Sequence, residues 1–324
     1  TRKGVGDDAA VLTPPEGCEV LCTTDTFFEG VDFDLTYFPL KHLGYKVITA
    51  AVSDLLAMNA QPSQVTVSLG VSAKLPVEAL DDLYEGIAFA CREQEIDLVG
   101  GDTRASMTGL VIAVSAFGFA PREQIVYRSG AQLHDLICIT GNLGAAYMGL
   151  QLLEREKRVL ADVKNPEPQF KGYEYLLEKY LKPRPRTDII ATLGEEKITP
   201  TAMIDLSDGL ASDLMQICKA SKCGARIYLE RIPIAQQTTA LAEEMHTDPV
   251  IAALNGGEDY ELPFTVPLAM QEQGMRLGLV DVIGHITAES TGAFLVTPHG
   301  PESQQKAQGL PQASTPRFMP PAPV

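Results

Sequence analysis

The sequence predicts a mixed protein, α+β / α/β in class, built as two domains. Three observations carry that expectation: the length, the interleaving of strand-like and helix-like stretches, and a break in pattern near residue 130. A chain of 324 residues corresponds to two domains at roughly 150 residues each. Its hydrophobic content of 45% suits a packed core rather than a disordered chain.

Val11 to Thr24 and Val65 to Val71 are rich in Val, Leu and Thr and predict strands. Between them Leu40, Leu43, Val47, Ala50, Ala51 and Met58 recur at helical spacing. A second helix is expected from Val77 to Glu95, a short strand from Asp97 to Val99 ahead of Gly100-Gly101, and a strong strand from Leu110 to Phe119 that returns like a hairpin. This order fits α+β better than a strictly alternating parallel sheet. The pattern pauses at RSGAQLH, so the boundary is set there, giving domains 1–132 and 133–305. Leu136 to Thr140 then reads as a strand and Ala145 to Glu156 as a helix. VKNPEPQFKG reads as a surface loop, and LKPRPRTD as a rigid lead into a helix. Met203 to Asp205 reads as a strand turning directly into a helix at Ser207, with further strands at Ala225 to Leu229 and Glu261 to Val266. Residues 306–324 hold too many prolines and too little apolar content to pack, and are expected to be disordered.

With 26 basic and 42 acidic residues the net charge is −16, a field that repels nucleic acid and anionic membranes. No apolar run approaches the roughly 20 residues of a membrane span, and no secretory pattern is visible. The six cysteines show neither C-x-x-C nor zinc spacing. Cys22, Cys91, Cys138 and Cys218 sit in apolar surroundings and read as buried free thiols. A cytoplasmic protein is expected. There is no P-loop motif and no G-x-S-x-G. The Gly4-x-Gly6-x-x-Ala9 spacing runs into a strand rather than a helix, which sets aside a dinucleotide fold.

Acidic residues stand at element ends beside Gly, Ser or Thr: Asp7 and Asp8, Asp25, Asp102, Asp205 and Asp208 around Ser207, and Glu258 with Asp259 after Gly256-Gly257. A solvated helical face would show Glu and Lys at helical spacing instead. Asp54 shares the apolar face of its helix with Val47 and Leu40, where a carboxylate is costly unless paired or metal-bound; a buried salt bridge is its alternative. For Ser207-Asp208 the alternative is a helix cap. Hard oxygen donors without His or Cys point to Mg²⁺. Mg²⁺ takes few carboxylates and keeps sites for phosphate oxygens, so a cluster of this size suggests several ions and a polyphosphate. Asp7 and Asp8 would then hold metal, and the metal would hold the phosphate. The five histidines are scattered and read as surface or structural.

In chain order, GVGDDAAVL, TTDTFFEGVDF, AVSDLLAMNA, LVGGDT, YRSG, IDLSDGLASDL and GGEDYEL resemble the thiamine-monophosphate kinases. Their superfamily includes aminoimidazole ribonucleotide synthetase, selenophosphate synthetase and a hydrogenase-maturation dehydratase. The resemblance spans roughly Gly4 to Gly284. The relatives' own marks, a reactive Cys with Lys near the start and a C-terminal Cys, are absent. It implies a PurM-like fold, with an N-terminal mixed-sheet domain that binds ATP and Mg²⁺ and dimerises, and a C-terminal α/β domain. It further implies a homodimer that uses ATP to convert thiamine monophosphate to thiamine diphosphate; because the acceptor phosphate is already ionised, direct in-line transfer assisted by several Mg²⁺ ions is expected. By position it assigns Asp8, Thr23, Thr24, Asp25, Asp54, Asp102, Asp205 and Asp208 to metal, with Asp102 and Asp208 catalytic. Gly101, Asp102, Arg128 and Ser207 are assigned to ATP, and Asp32 and Glu258 to substrate. Arg128 reads from the residues alone equally as an interdomain salt bridge, and Asp259 as a structural residue bonded to the backbone of the GG turn. Asp32 stands where the family often has His. QGLPQAS stands where the family has a C-terminal aromatic, and the helix that precedes GDD in the family has no counterpart in this chain. Two rivals stay open: another ATP-using member of the superfamily, and a catalytically silent nucleotide- or thiamine-binding sensor.

Overall fold

The computed structural model describes residues 1–6, 8–161, 167–270, 278 and 280–297, which separate into two compact units, Thr1–Ile125 and a second beginning at Val126. Asp7, QGLPQAS and the 306–324 tail lie outside the described residues.

The first unit is a four-stranded sheet of order β1-β4-β2-β3, made by β1 (Cys18–Phe28), β2 (Gln61–Ser72), β3 (Asp97–Ser106) and β4 (Val111–Pro121). β4 is antiparallel to both β1 and β2, and β3 runs parallel to β2. The sheet is mixed, as expected, but the hairpin-like return is not there: β4 leaves β3 and inserts between β1 and β2. Three boundaries also differ. Pro14 and Pro15 cannot donate to a ladder, so Val11 makes only an isolated bridge to Lys3 and β1 starts at Cys18. Asp25 does not close its strand, because Thr26, Phe27 and Phe28 continue to pair with Ala113, Ile112 and Val111. β3 runs straight through Gly100-Gly101, paired with β2 as far as Ser106.

Helices α1 (Leu40–Ala57) and α2 (Val77–Glu93) cover one face. Leu21 and Phe27 of β1, Ile112 and Val114 of β4, and Val65, Val67 and Leu69 of β2 are buried, whereas Val20, Cys22, Thr24, Thr26 and Phe28 alternate with them in the open. The helices touch backbone to backbone. A Cβ on Gly44 would lie 2.1 Å from the Leu83 carbonyl oxygen, and one on Gly86 1.9 Å from that of Lys41. That approach helps sink α1, in which 14 of 18 residues are buried.

The second unit holds a six-stranded sheet of order β10-β7-β9-β5-β8-β6: β5 (Leu136–Thr140), β6 (Ala202–Met203), β7 (Cys223–Tyr228), β8 (Pro263–Val266), β9 (Val280–Ala288) and β10 (Ala293–Val296). Its helices are α3 (Ala145–Leu160), α4 (Glu174–Leu181), α5 (Thr187–Glu195), α6 (Leu210–Ser221), α7 (Gln236–Glu244) and α8 (Pro249–Asn255). Ile137, Ile139, Ala225, Ile227, Ile283 and Ile286 of the sheet pack with Leu210, Leu214 and Ile217 of α6. A second cluster ties α3, α4, α7 and α8 together through Met148, Leu152, Leu176, Leu241 and Ala252. Each fully buried Leu or Ile contributes about 1.5–3 kcal/mol of transfer free energy.

All six cysteines are free. Burial pushes the thiols of Cys91, Cys138 and Cys218 up to about 11, 12 and 12. Cys22 departs from the expectation: its place in the β1 alternation turns it to the open face, and it is exposed. No described helix is long and apolar enough to cross a membrane.

Candidate active site

In the first unit the predicted ligands divide by sheet face. The ladder lines up Asp25, Val114, Val67 and Gly101 in one cross-strand row, and Thr26, Ala113, Ser68 and Asp102 in the next. With a side-chain period of two, Thr23 and Asp25 fall on the helix-covered face, and Thr24 and Asp102 on the open one. The covered face brings Asp54 to Thr23. Thr23 Oγ1 donates to Asp54 Oδ2 at 2.5 Å, and Asp54 is half-buried within α1. Asp54 forms no ion pair among the described residues of its unit, so the buried salt bridge considered for it is not what holds it. On the open face Thr24 Oγ1 donates to the Val114 carbonyl at 3.2 Å and accepts from Ser115 Oγ at 3.1 Å. Asp102 accepts from Thr103 N at 2.8 Å and from Arg104 Nε at 3.0 Å, and stays exposed. Gly101 admits no side chain, since a Cβ would lie 2.0 Å from the Val67 carbonyl oxygen. Asp8 is exposed in the N-terminal segment. Asp32 has a local task, closing the turn after β1 by accepting from Phe28 N at 2.8 Å.

In the second unit two turns clasp each other. The Glu258 N–H donates to the Ser207 carbonyl and that of Tyr260 to the Leu206 carbonyl, both at 2.9 Å, while Leu206 N donates to the Glu261 carbonyl at 2.8 Å. Gly257 (φ +70°) passes so close that a Cβ would sit 2.4 Å from the Ser207 oxygen. Glu258 and Tyr260 both hold left-handed backbone, with φ of 62° and 50°. Such conformations concentrate at functional turns.

The expected strand-to-helix junction is longer than the sequence suggested. β6 ends at Met203, α6 begins at Leu210, and the N-cap position is Gly209 with no side-chain cap. The N-cap position thus falls on Gly209 and not on Ser207 or Asp208. The turn is organised from downstream: Asp213 Oδ2 accepts the N–H groups of Ser207, Asp208 and Gly209 at 3.1, 3.0 and 3.1 Å. Burial pushes the Asp213 carboxyl up to about 7, with the Asp208 charge adding and those N–H groups opposing. Asp205 is buried, at 3% exposure, while Ser207 is half-buried and Asp208 exposed.

Asp259 is structural, but its partners are not the GG turn. Oδ2 accepts from Gly144 N at 2.7 Å and Oδ1 from Ala146 N at 3.1 Å, which satisfies the start of α3. Glu261, 2% exposed, accepts from Thr140 Oγ1 at 2.7 Å and Lys179 Nζ at 3.1 Å, and also from Arg186 Nη1. Arg128 is exposed and forms no ion pair among the described residues of its unit. Its segment is tied to α6 by the Ser221 hydroxyl, which donates to the Arg128 carbonyl at 3.0 Å and accepts from Gly130 N and Ala131 N at 3.1 and 3.2 Å.

Known proteins match both units. Residues 6–120 match the AIR synthase related protein N-terminal domain, and residues 167–297 its C-terminal domain. The thiamine-monophosphate kinase of Buchnera aphidicola (Schizaphis graminum) is 38% identical over 303 residues, 91% of this chain and 87% of that protein. The chain belongs to the thiamine-monophosphate kinase family. The thiamine-monophosphate kinase structure from Stenotrophomonas maltophilia K279a superposes with a TM-score of 0.77 at 30% identity, covering 91% of this chain and 90% of that one. The structure of AaThiL complexed with AMPPCP and TMP gives 0.75 at 30%, covering 90% and 88%. The two-domain fold of these kinases is therefore the fold of this chain.

The donor chemistry of this kinase suits Mg²⁺ in part. Thr23, Asp25 and Asp54 offer hydroxyl and carboxylate oxygens on one face, the one or two carboxylates such an ion takes beside water and phosphate. Among the described residues, no three of His, Cys, Asp or Glu converge on one point.

Asp213, Glu261, Lys179, Arg186 and Ser221 were not singled out from the sequence. Only Asp213 left a signal there, an acid in the first turn of the helix after SDG.

Burial pushes Asp259 up to about 7, against the Gly144 and Ala146 N–H groups. The folded kinase thus keeps a proton that the unfolded chain, with an ordinary carboxyl near 3.8, has released. This residue's contribution to stability falls as pH rises from about 4 to about 7. Denaturant unfolding of Asp259→Asn at pH 5 and pH 8 should show a shallower loss of stability with pH than the parent. An identical slope would contradict this.

Proposed function

We propose that the protein uses ATP to phosphorylate thiamine monophosphate to thiamine diphosphate in a single in-line step, as a homodimer and with bound Mg²⁺. The observation that carries the reading is the clasp between the LSDG and GGEDYE turns. It supports a phosphoryl-transfer role because it presents Ser207, Asp208 and Glu258 from a backbone fixed by Asp213, Asp259 and Glu261.

A phosphomonoester has a second pKa near 6, so the attacking oxygen of the acceptor is already ionised and no general base is needed. That agrees with sites built from Asp and Thr without His. What the chain must do is position two anions and hold the means of neutralising them. Asp25 and Asp54 with Thr23 would hold metal in the first unit, with Asp8 alongside, and Asp205 and Asp208 in the second. Mg²⁺ supplies charge neutralisation between donor and acceptor phosphates when bound. Thr24 and Asp102, on the open face, would serve as a separate set, with Gly101 giving nucleotide a close approach to the backbone. Ser207 and the cationic Arg128 would meet nucleotide phosphates. Glu258 would accept a hydrogen bond from the aminopyrimidine, and Asp32 would lie at the substrate's edge. The open, partly apolar face of the first sheet, with Val20 and Phe28 52% and 47% exposed, suits the dimer contact.

The step can be tested with ATP made chiral at the γ-phosphorus by oxygen isotopes. Inversion in the diphosphate product is expected for one direct transfer, and retention would require a phosphoenzyme. Chelation by EDTA should abolish turnover and added Mg²⁺ restore it.

A further inference from the structure

One feature of the second unit shares no residue with the set assigned to phosphoryl transfer. A cavity of about 360 Å³ opens beside the sheet, lined among others by His134, Leu136, Tyr228, Arg231, Val282 and His285. Val282 and His285 are three residues apart in β9, so strict alternation would put them on opposite faces. A bulge changes that. Ile137 pairs with Gly284 but Cys138 with Val282, which inserts Ile283 as an extra residue, and Ile283 itself points into the core. Bulges that re-aim side chains in this way occur next to ligand sites. Gly284 adds no side chain to the lining, since a Cβ there would lie 2.1 Å from the Arg226 carbonyl oxygen.

The polar groups of the cavity are donors or cations. The Arg231 guanidinium lies 5.2 Å from the centre of the Tyr228 ring and forms no ion pair among the described residues. Its N–H groups are therefore held by a π-face rather than spent on a carboxylate. Tyr228 Oη sits 3.2 Å from His285 Nδ1; when the phenol donates there, His285 Nε2 carries the proton and can donate in turn. His134 joins them on a left-handed backbone (φ 73°). Among the described residues no carboxylate lines the cavity, in a chain of net charge −16. Leu136 and Val282 supply apolar surface, so the lining combines a few convergent polar groups with apolar walls, as small-molecule sites do.

We propose that this cavity is a second ligand site, taking a small organic anion (a carboxylate or phosphate on a flat apolar body) through Arg231, His285 and Tyr228. The test follows histidine C–H signals by NMR in the full chain, titrated separately with benzoate, phenyl phosphate and the neutral benzyl alcohol. Saturable shifts of the His134 and His285 signals are expected with one or both anions and not with benzyl alcohol, and the stronger anion identifies the head group. Arg231→Met keeps the apolar stem and should weaken binding by about tenfold or more, the loss of a charge-assisted bond. Because Arg231 is not assigned to phosphoryl transfer, that variant should keep kinase activity, which also shows it is folded. His285→Gln gives a second variant with the same expected direction. Absent or non-saturating shifts, equal response to benzyl alcohol, or unchanged affinity in both variants would overturn the proposal.

Discussion

Asp208→Asn is expected to abolish turnover while leaving the protein folded. The side chain is exposed, and the turn that carries it is held by Asp213 through three backbone N–H groups. Asn keeps the shape and removes the charge. If Asp208 holds metal against the transferred phosphoryl group, its loss should cost several kcal/mol at the transition state, on the order of a thousandfold in kcat. Circular dichroism and the unfolding midpoint should stay near those of the parent. Full activity would remove Asp208 from the mechanism. Asp102→Asn is the companion measurement, because Asp102 lies on the sheet face opposite Asp25 and Asp54; comparable loss there would mean the open face is also catalytic.

Asp213→Ala should be the second most damaging change, although Asp213 is assigned no contact with substrate. One carboxylate oxygen accepts the N–H groups of Ser207, Asp208 and Gly209. Without it those donors lose their acceptor in a partly buried turn, at a cost of about 2 kcal/mol in stability. Groups that orient ligand residues are worth roughly 10- to 100-fold in activity, so kcat should fall by that factor. The conservative variant separates positioning from mere packing. Asp213→Asn retains an amide oxygen for the same N–H groups and should recover most of the activity. Equal loss in Ala and Asn variants would contradict this account of the turn.

Much of this was legible in the sequence, and what was not has a common cause. α1, α2 and β2 sit within a few residues of their expected places because their periodicity is local and uninterrupted. The acidic positions beside Gly, Ser and Thr were legible because a carboxylate in such a turn breaks the usual pattern of solvated charge. The alternation of Thr23 and Thr24 follows from the expected strand, but the placing of Asp25 with Thr23 and of Asp102 with Thr24 was not legible. It depends on ladder register across β1, β4, β2 and β3, and three of those strands are joined through long connections. The start of β1 was misjudged where Pro14-Pro15 withholds ladder donors. Asp213 escaped notice because a helix cap is sought upstream of the helix, whereas here the acceptor reaches back from its first turn. Asp259 was recognised as structural, but its partners Gly144 and Ala146 lie more than a hundred residues away in sequence.

The most direct test of the central claim is ³¹P NMR of the purified protein with ATP, Mg²⁺ and thiamine monophosphate. A coupled diphosphate pair that grows with ADP, while the monoester signal declines, is the predicted result. ATP consumed with release of inorganic phosphate and no new pair would contradict it and point to another acceptor; no consumption at saturating Mg²⁺ would leave a binding protein without turnover.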